Sequence, residues 1–198
     1  MTNAGPATVL VVDDEADVAD AYAAQLELDF DVATAYSGRE ALEEIDESVD
    51  VVLLDRRMPG ISGDEVLETI RERDLDCRVA MVTAVDPDFD IIEMEFDDYV
   101  IKPVSRDDLY ETIDRLLTAS DYESTLQEYY SLMAKQAALR ANKPEAELAD
   151  TTEYEELQTR LDEVRSDLDD TVGSFDDADF ETAFMDIGDP ATQGGRLE

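Results

Sequence analysis

The chain of 198 residues carries 53 acidic and 15 basic side chains, a formal net charge of −38, one cysteine and no histidine. These totals exclude histidine-based catalysis, histidine metal sites, a phosphohistidine donor and an internal disulfide. They also argue against nucleic acid or an anionic membrane as a direct partner, because no basic stripe is present.

The acidic excess spans both halves of the chain, so it is a property of the whole surface. At low ionic strength such a charge destabilises a folded chain, whereas in molar salt the Debye length falls to ~3 Å and the repulsion is screened. The composition therefore predicts a salt-rich cytoplasm. A polar N-terminus and the lack of an apolar run of ~20 residues favour a cytoplasmic protein without a signal peptide or a membrane span.

Short apolar runs alternate with helical patterns over the first 119 residues or so. Helix starts are marked by capping-box spacings at Ser37, Ser62 and Ser105, each with an acidic residue three positions later. Between residues 86 and 98 the pattern is open, because it fits either one short helix or an irregular acidic loop. The runs that predict strands cover residues 8–12, 30–35, 49–55, 78–83 and 99–103.

Five strands alternating with helices predict an α/β fold, a parallel sheet with helices on both faces. Right-handed crossovers place the carboxyl ends of all strands on one edge, where such sheets bind ligands. We therefore expect the residues that follow the strands to converge there. These residues are Asp13, Asp14, Asp55, Thr83 and Lys102.

The converging side chains have the chemistry of a phosphoryl-transfer site. Three carboxylates that lie close together stay ionised only around a cation, and an oxygen site with open positions suits Mg²⁺, with the Arg57 carbonyl able to complete the shell. Lys102 and the Thr83 hydroxyl would contact the remaining phosphate oxygens. Asp55 would be the nucleophile that becomes an aspartyl phosphate.

The same residues resemble the receiver domain of two-component response regulators. The matching segments are Asp13-Asp14, the run Asp55-Arg56-Arg57-Met58-Pro59-Gly60, Thr83-Ala84, Tyr99 and Lys102-Pro103, within residues 8–119.

The resemblance implies a flavodoxin-like strand order of 2-1-3-4-5 and Asp55 as the phosphoacceptor of a sensor histidine kinase. It also implies Mg²⁺ on Asp13, Asp14, Asp55 and the Arg57 carbonyl, and phosphate contacts from Thr83 and Lys102. The resemblance further implies a cis peptide before Pro103 and a switch formed by Thr83 and Tyr99.

This sequence departs from the family pattern in one segment. The stretch between Thr83 and Lys102 is a few residues shorter than usual, and Phe96 stands where a glycine commonly ends the fourth helix. We expect that helix to be short or unwound, which puts in doubt dimerisation through the face it normally shares with strand 5 and helix 5.

A helical pattern without basic character follows the receiver. Ser120 opens another capping-box spacing, and the apolar face of the helix it predicts consists of Tyr122, Leu126, Tyr129, Tyr130, Met133 and Ala137. A break at 142–144 follows. The apolar positions from Tyr154 to Val172 then alternate in steps of three and four, which indicates either a hairpin with the preceding helix or pairing between chains.

This region resembles the HalX domain found after receivers in haloarchaea, and the resemblance carries no mechanism. The predicted domains are a receiver at 1–119, a helical hairpin at 120–172 and an acidic, disordered tail at 173–198.

We expect a response regulator that catalyses only its own phosphorylation and dephosphorylation, with an unidentified output protein and self-association through the C-terminal helices as one option. The alternatives are a Mg²⁺-dependent phosphatase of haloacid-dehalogenase type and a DNA-binding transcriptional regulator. The phosphatase needs Asp-x-Asp after the first strand, where this chain has Asp13-Asp14-Glu15.

Overall fold

The computed structural model describes residues 5–87, 89–149 and 151–174. Strands and helices alternate up to a long helix, α4, and two further helices follow it. In chain order the elements are β1 Thr8–Val12, α1 Ala16–Leu26, β2 Asp31–Ala35, α2 Gly38–Glu44, β3 Val51–Leu54, α3 Gly63–Glu72, β4 Arg78–Thr83, a 3-10 helix at Phe89–Glu93, β5 Asp98–Ile101, α4 Arg106–Asn142, α5 Glu145–Ala149 and α6 Thr152–Ser174.

The five strands form one parallel sheet in the order β2-β1-β3-β4-β5. This confirms the predicted flavodoxin-like receiver fold. Val12 pairs with Leu54 across β1 and β3, so the residues that follow them, Asp13 and Asp55, leave the sheet at the same level. The register therefore places the two carboxylates side by side at the carboxyl edge.

Both faces of the sheet are buried, as near-continuous runs of valine and leucine predict for a parallel sheet. Alternate residues of β1, such as Leu10 and Val11, point into two different apolar clusters, one on each face. Because the side-chain period of a strand is two, each strand contributes to both cores and its ends are held firmly. One cluster includes Val66, Leu67 and Ile70 of α3, and the other includes Ala19 and Leu26 of α1 with Leu109, Ile113 and Leu116 of α4.

The predicted caps form, but one differs in detail. Ser62 closes a complete capping box, in which its hydroxyl accepts from Glu65 N–H and the Glu65 carboxylate accepts from Ser62 N–H. Ser37 accepts from Glu40 N–H, yet the Glu40 carboxylate accepts from the N–H of Tyr36, one residue before the cap. The capping box at Ser37 is therefore incomplete, because Glu40 binds the N–H of Tyr36 and not that of Ser37.

The segment between β4 and β5 contains a short 3-10 helix, Phe89–Glu93, in place of a full fourth helix. This confirms the expectation of a short or unwound helix. Phe89 and Ile92 are largely exposed, and Phe96 is half-buried against the core cluster that includes Val79 and Met81.

The helix predicted to begin at Ser120 does not begin there. Ser120 lies inside α4, which runs without a break from Arg106 to Asn142. The capping-box spacing is a local pattern, and a helix already formed upstream satisfies the same backbone groups by propagation. The predicted end at 142–144 is confirmed, because Pro144 follows the last helical residues.

The chain divides into two compact units, Met1–Leu117 and Thr118–Glu198. In the second unit, Arg160 of α6 makes a bidentate ion pair with Glu128 of α4, and Tyr154, Leu161 and Val164 of α6 are buried. These three residues belong to the predicted seam, which therefore packs within the chain. Tyr130 and Met133, which belong to the predicted apolar face of the helix, are exposed, and the ion pair with α6 lies on another side of α4.

The short helix α5 was not predicted. The predicted tail at 173–198 lies outside the described residues apart from its first two positions, and the predicted domain boundaries stay a prediction. Within the described part of the chain, no helix is long and apolar enough to cross a membrane.

Candidate functional site

Three carboxylates meet at the carboxyl edge of the sheet. Asp13 and Asp14 follow β1, Asp55 follows β3, and one oxygen from each lies within 4.8 Å of the others. Asp13 and Asp55 are buried, whereas Asp14 is exposed. The cluster is therefore held rigidly on two sides and open to solvent on the third.

Lys102 reaches this cluster from the end of β5. Its Nζ lies 2.6 Å from Oδ2 of Asp13 and 3.3 Å from Oδ1 of Asp55. The backbone N–H of Lys102 donates to the Thr83 carbonyl, and the bond to Pro103 is cis, as the resemblance implies. The lysine is thus fixed at its base by β4 and at its tip by two carboxylates.

This geometry explains the pKa shifts of Asp55 and Lys102. Burial raises the pKa of Asp55, and the negative charge of Asp13 adds to the rise, while Lys102 and a hydrogen bond from Thr83 oppose it. Burial works against the charged form of Lys102, but the hydrogen bond to Asp13 and the attraction of both carboxylates raise its pKa overall. The ammonium group is therefore the charge that balances the carboxylates in this structure.

The donor set fits a hard divalent cation. All three side chains offer oxygen, which Mg²⁺ prefers, and their spacing allows one ion to contact all three. Asp13 Oδ1 already accepts a hydrogen bond from Glu15 N–H, so this carboxylate keeps a fixed orientation. The site would leave positions for water and for a phosphate oxygen.

Thr83 and Tyr99 are linked through one residue of the loop after β4. The Val85 N–H donates to Thr83 Oγ1 over 3.4 Å, and the Tyr99 hydroxyl donates to the Val85 carbonyl over 2.8 Å. Tyr99 is half-buried, and its ring lies 5.5 Å from that of Phe96. A displacement of the Thr83 loop would therefore act directly on Tyr99.

Arg57 lies beside a cavity of about 720 Å³ that opens next to the acidic cluster. Its side chain is exposed, whereas the neighbouring Arg56 is buried and forms a bidentate ion pair with Asp64. Asp14, Met58, Ser62 and Asp86 also line this cavity. The cavity gives the exposed Asp14 side of the cluster a space that is open to a ligand.

Two glycines that sequence reasoning passed over support the loop after Asp55. A Cβ on Gly63 would lie 2.3 Å from the Asp55 carbonyl oxygen, and one on Gly38 would lie 2.4 Å from the Ile61 carbonyl oxygen. Each glycine directly follows the serine cap of its helix, and that position was the available signal. The helices can approach the loop this closely only because no side chain intervenes.

Asp97 also went unpredicted. Its carboxylate accepts from Arg71 and Arg78 and from the Val79 N–H, all within 2.9 Å, and Arg71 donates further to the Glu95 and Cys77 carbonyls. These bonds attach the segment before β5 to α3 and β4. In sequence, Asp97 was one acid among many in an acidic loop, and nothing distinguished it.

Comparisons with known proteins agree with the geometry. A family model described as "Response regulator receiver domain" matches residues 9–114, and one described as "HalX domain" matches residues 118–184. A "Putative transcriptional regulator" of Haloferax volcanii is 52% identical over 160 residues, which are 80% of this chain and 27% of that protein. The response regulator SaeR of Staphylococcus aureus is 33% identical over 56% of this chain and 50% of its own. The chain thus spans half or less of these two relatives.

Solved structures of receiver domains are similar to the first unit. A CheY-like receiver domain protein of Methanospirillum hungatei is 26% identical with a TM-score of 0.56, over 60% of this chain and 99% of its own. A receiver domain protein of Clostridium thermocellum is 32% identical with a TM-score of 0.51, over 56% and 93%. The BeF3-activated DrrB receiver domain is 28% identical with a TM-score of 0.53, over 57% and 97%.

Proposed function

This chain belongs to the response regulator receiver domain family and carries a HalX domain after the receiver, and we propose that Asp55 accepts its phosphoryl group. The observation that carries the proposal is the position of Asp55, buried beside Asp13 and Asp14 with Lys102 Nζ at 3.3 Å. A carboxylate in such a cluster is a nucleophile whose charge a neighbouring cation balances.

The phosphodonor is a phosphohistidine of a sensor histidine kinase, the donor that the receiver family implies. An oxygen of Asp55 forms the new O–P bond while the N–P bond of the donor breaks, and the imidazole nitrogen keeps the electron pair and takes up a proton. Lys102 and the Thr83 hydroxyl contact the transferred phosphoryl oxygens and balance their charge.

Mg²⁺ would be held by Asp13, Asp14 and Asp55, with the Arg57 carbonyl as a further ligand. When bound, it neutralises negative charge on the carboxylates and on the phosphoryl oxygens. Asp13 keeps its orientation through the N–H of Glu15, so the chain provides a prearranged ligand there.

The output is a protein contact made by the C-terminal helices. Thr83 moves toward the phosphoryl group, and Tyr99 follows because Val85 bonds to both residues. Helix α6 and the part of α4 in the second unit then bind an output protein. The same helices also support self-association. The cognate partner is a protein rather than nucleic acid, in keeping with the net charge of −38.

The test is phosphorylation by acetyl phosphate with Mg²⁺ in molar KCl, followed by intact-protein mass spectrometry. Wild type should gain one alkali-labile, hydroxylamine-labile phosphoryl group, and Asp55→Asn should gain none. Asp114→Asn, a change of the same type at an exposed position of α4, should behave like wild type. Equal labelling of Asp55→Asn would overturn the proposal. Turnover on phosphate monoesters, which we do not expect, would favour the phosphatase.

A further inference from the structure

An apolar stripe on α4 of the second unit is exposed to solvent. The side chains of Tyr130 and Met133 are 64% and 41% exposed, Ala137 and Ala141 are exposed, and Leu126 is half-buried. Spacings of four, three, four and four place these five residues on one side of the helix. Below, "the α4 stripe" means these five residues.

The ion pair that joins α4 to α6 lies on another side of α4. Arg160 of α6 pairs with Glu128, which is two residues from Tyr130 and therefore about 200° around the helix from it. The apolar seam of α6 is buried at Tyr154, Leu161 and Val164. Because the seam of α6 is buried inside the chain, the α4 stripe is an apolar face that stays exposed among this unit's described residues.

The charge along this part of the chain is unlike that of the rest. Residues 129–144 contain no acidic side chain and three basic ones, Lys135, Arg140 and Lys143, in a chain of net charge −38. The preceding residues 120–128 of the same helix contain Asp121, Glu123 and Glu128 and no basic side chain. This part of α4 therefore has an acidic first half and a basic second half.

We infer that the α4 stripe pairs with the same stripe of a second copy, with the two helices antiparallel. An axis between residues 131 and 132 sets Tyr130 opposite Met133 and Leu126 opposite Ala137. It also brings Arg140 of one copy to the level of Glu123 of the other. A parallel pair would instead set Arg140 beside Arg140 and Glu123 beside Glu123, so charge complementarity selects the antiparallel arrangement.

These charges determine the orientation of the two helices more than they stabilise the dimer, because molar salt screens charges that are not in close contact. Burial of Tyr130 and Met133 supplies the stabilisation, and the acid-free segment avoids burying carboxylates between two acidic chains. Raising the salt concentration should strengthen the dimer, since it screens repulsion between two chains of charge −38.

This inference deepens the self-association in the proposed function and does not depend on phosphorylation of Asp55. It is tested with the full-length, unphosphorylated chain by sedimentation equilibrium in molar KCl. Tyr130→Glu and Met133→Glu should each raise the dimer dissociation constant by about tenfold or more. Leu28→Glu, which changes an exposed leucine of the receiver, should leave it unchanged. Circular dichroism verifies that the exposed substitutions leave the helices intact.

Disulfide trapping determines the orientation. In a Cys77→Ala background, a mixture of Leu126→Cys and Ala137→Cys proteins should form the mixed dimer on mild oxidation, and neither alone should crosslink efficiently. Efficient crosslinking of each single variant with itself would show a parallel pair and overturn the antiparallel assignment. Phosphorylation of these variants by acetyl phosphate is measured separately, so failure of the dimer is distinct from failure of Asp55 as acceptor.

Two further results would overturn the pairing. One is a wild-type chain that stays monomeric at high micromolar concentration in molar KCl. The other is a monomer that binds duplex DNA and loses this binding on Lys135→Gln with Arg140→Gln, since the basic segment would then serve nucleic acid. No DNA binding by the wild-type dimer is the expected result.

Discussion

The ammonium nitrogen of Lys102 lies 2.6 Å from Oδ2 of Asp13, closer than the 3.3 Å that separates it from Oδ1 of Asp55. Lys102 therefore acts as the counter-ion of the same carboxylate that is proposed to bind Mg²⁺. A metal ion and the ammonium group compete for Asp13, and the phosphoryl group of Asp55 offers Lys102 an alternative partner.

Replacing Lys102 by methionine should separate these two roles. We expect Lys102→Met to bind Mg²⁺ about three- to tenfold more tightly, because the competing charge is gone, and to accept phosphate at least about tenfold more slowly. Calorimetric titration with Mg²⁺ measures the first effect and mass spectrometry the second. Lys143→Met, which removes an exposed lysine paired with Glu147, is the matched control. Weaker Mg²⁺ binding by Lys102→Met would contradict the competition.

The close approach of α3 to the Asp55 loop should make Gly63 intolerant of any side chain. A Cβ at this position would lie 2.3 Å from the Asp55 carbonyl oxygen and 2.8 Å from Arg56 Cα, so the backbone must shift. We expect Gly63→Ala to lower the free energy of unfolding by about 1–3 kcal/mol. Gly5→Ala, where no neighbouring atom lies within 4 Å, should have no effect in the same denaturation experiment.

Removal of Asp97 should be more damaging than removal of an exposed acid. Asp97→Ala leaves the largely buried guanidinium groups of Arg71 and Arg78 without their shared carboxylate, at a cost of about 3 kcal/mol. Glu163→Ala, which removes an exposed partner of Arg160, should cost less than about 0.5 kcal/mol. Urea titration in molar KCl compares the two. A similar, small loss for both variants would mean that the Asp97 network does not stabilise the receiver.

The single cysteine should be inert in the folded chain. Burial raises the pKa of Cys77 from 9.0 to about 11, so only about one thiol in a thousand is ionised near pH 8. We expect a disulfide reagent to label the thiol only after unfolding. Rapid labelling of the folded chain would show that β4 opens at its start.

The same pKa shift has a consequence for stability at alkaline pH. Below pH 9.0 the thiol is protonated in both states, and its contribution is constant; above it, the unfolded thiol ionises first, and stability falls until the pH passes about 11. The slope in this window is about 1.4 kcal/mol per pH unit. Cys77→Ala lacks this group, so its stability relative to wild type should rise through the window.

Much of the site could be predicted because strand ends are strongly determined. β4 was predicted at its observed bounds, Arg78–Thr83, and a parallel sheet brings the residues after its strands to one edge. The apolar runs and their order along the chain are therefore enough to predict that Asp13, Asp55 and Lys102 meet. The hydrogen bond from Tyr99 to Val85 could not be predicted, because it depends on the path of a loop with no repeating pattern.

The prediction was wrong where one local sequence pattern is compatible with two structures. Ser120 with Glu123 has the spacing of a helix start, and a helix interior tolerates the same residues, so only the upstream helix decided between them. Tyr130 and Met133 were predicted to share an apolar face of the helix, and the structure shows that both side chains are exposed. The position of α6 depends on long-range packing, seen in the burial of Tyr154, Leu161 and Val164, which the periodicity of α4 does not encode.

The acid-free segment 129–144 has a consequence for crowding. In molar salt a negative surface repels its neighbours over a few ångströms only, so an acidic coat no longer keeps proteins apart at a distance. What it still prevents is close contact, because each carboxylate must give up its hydration before two surfaces can meet. A segment with no carboxylates is therefore a place where another chain can approach without dehydrating a carboxylate.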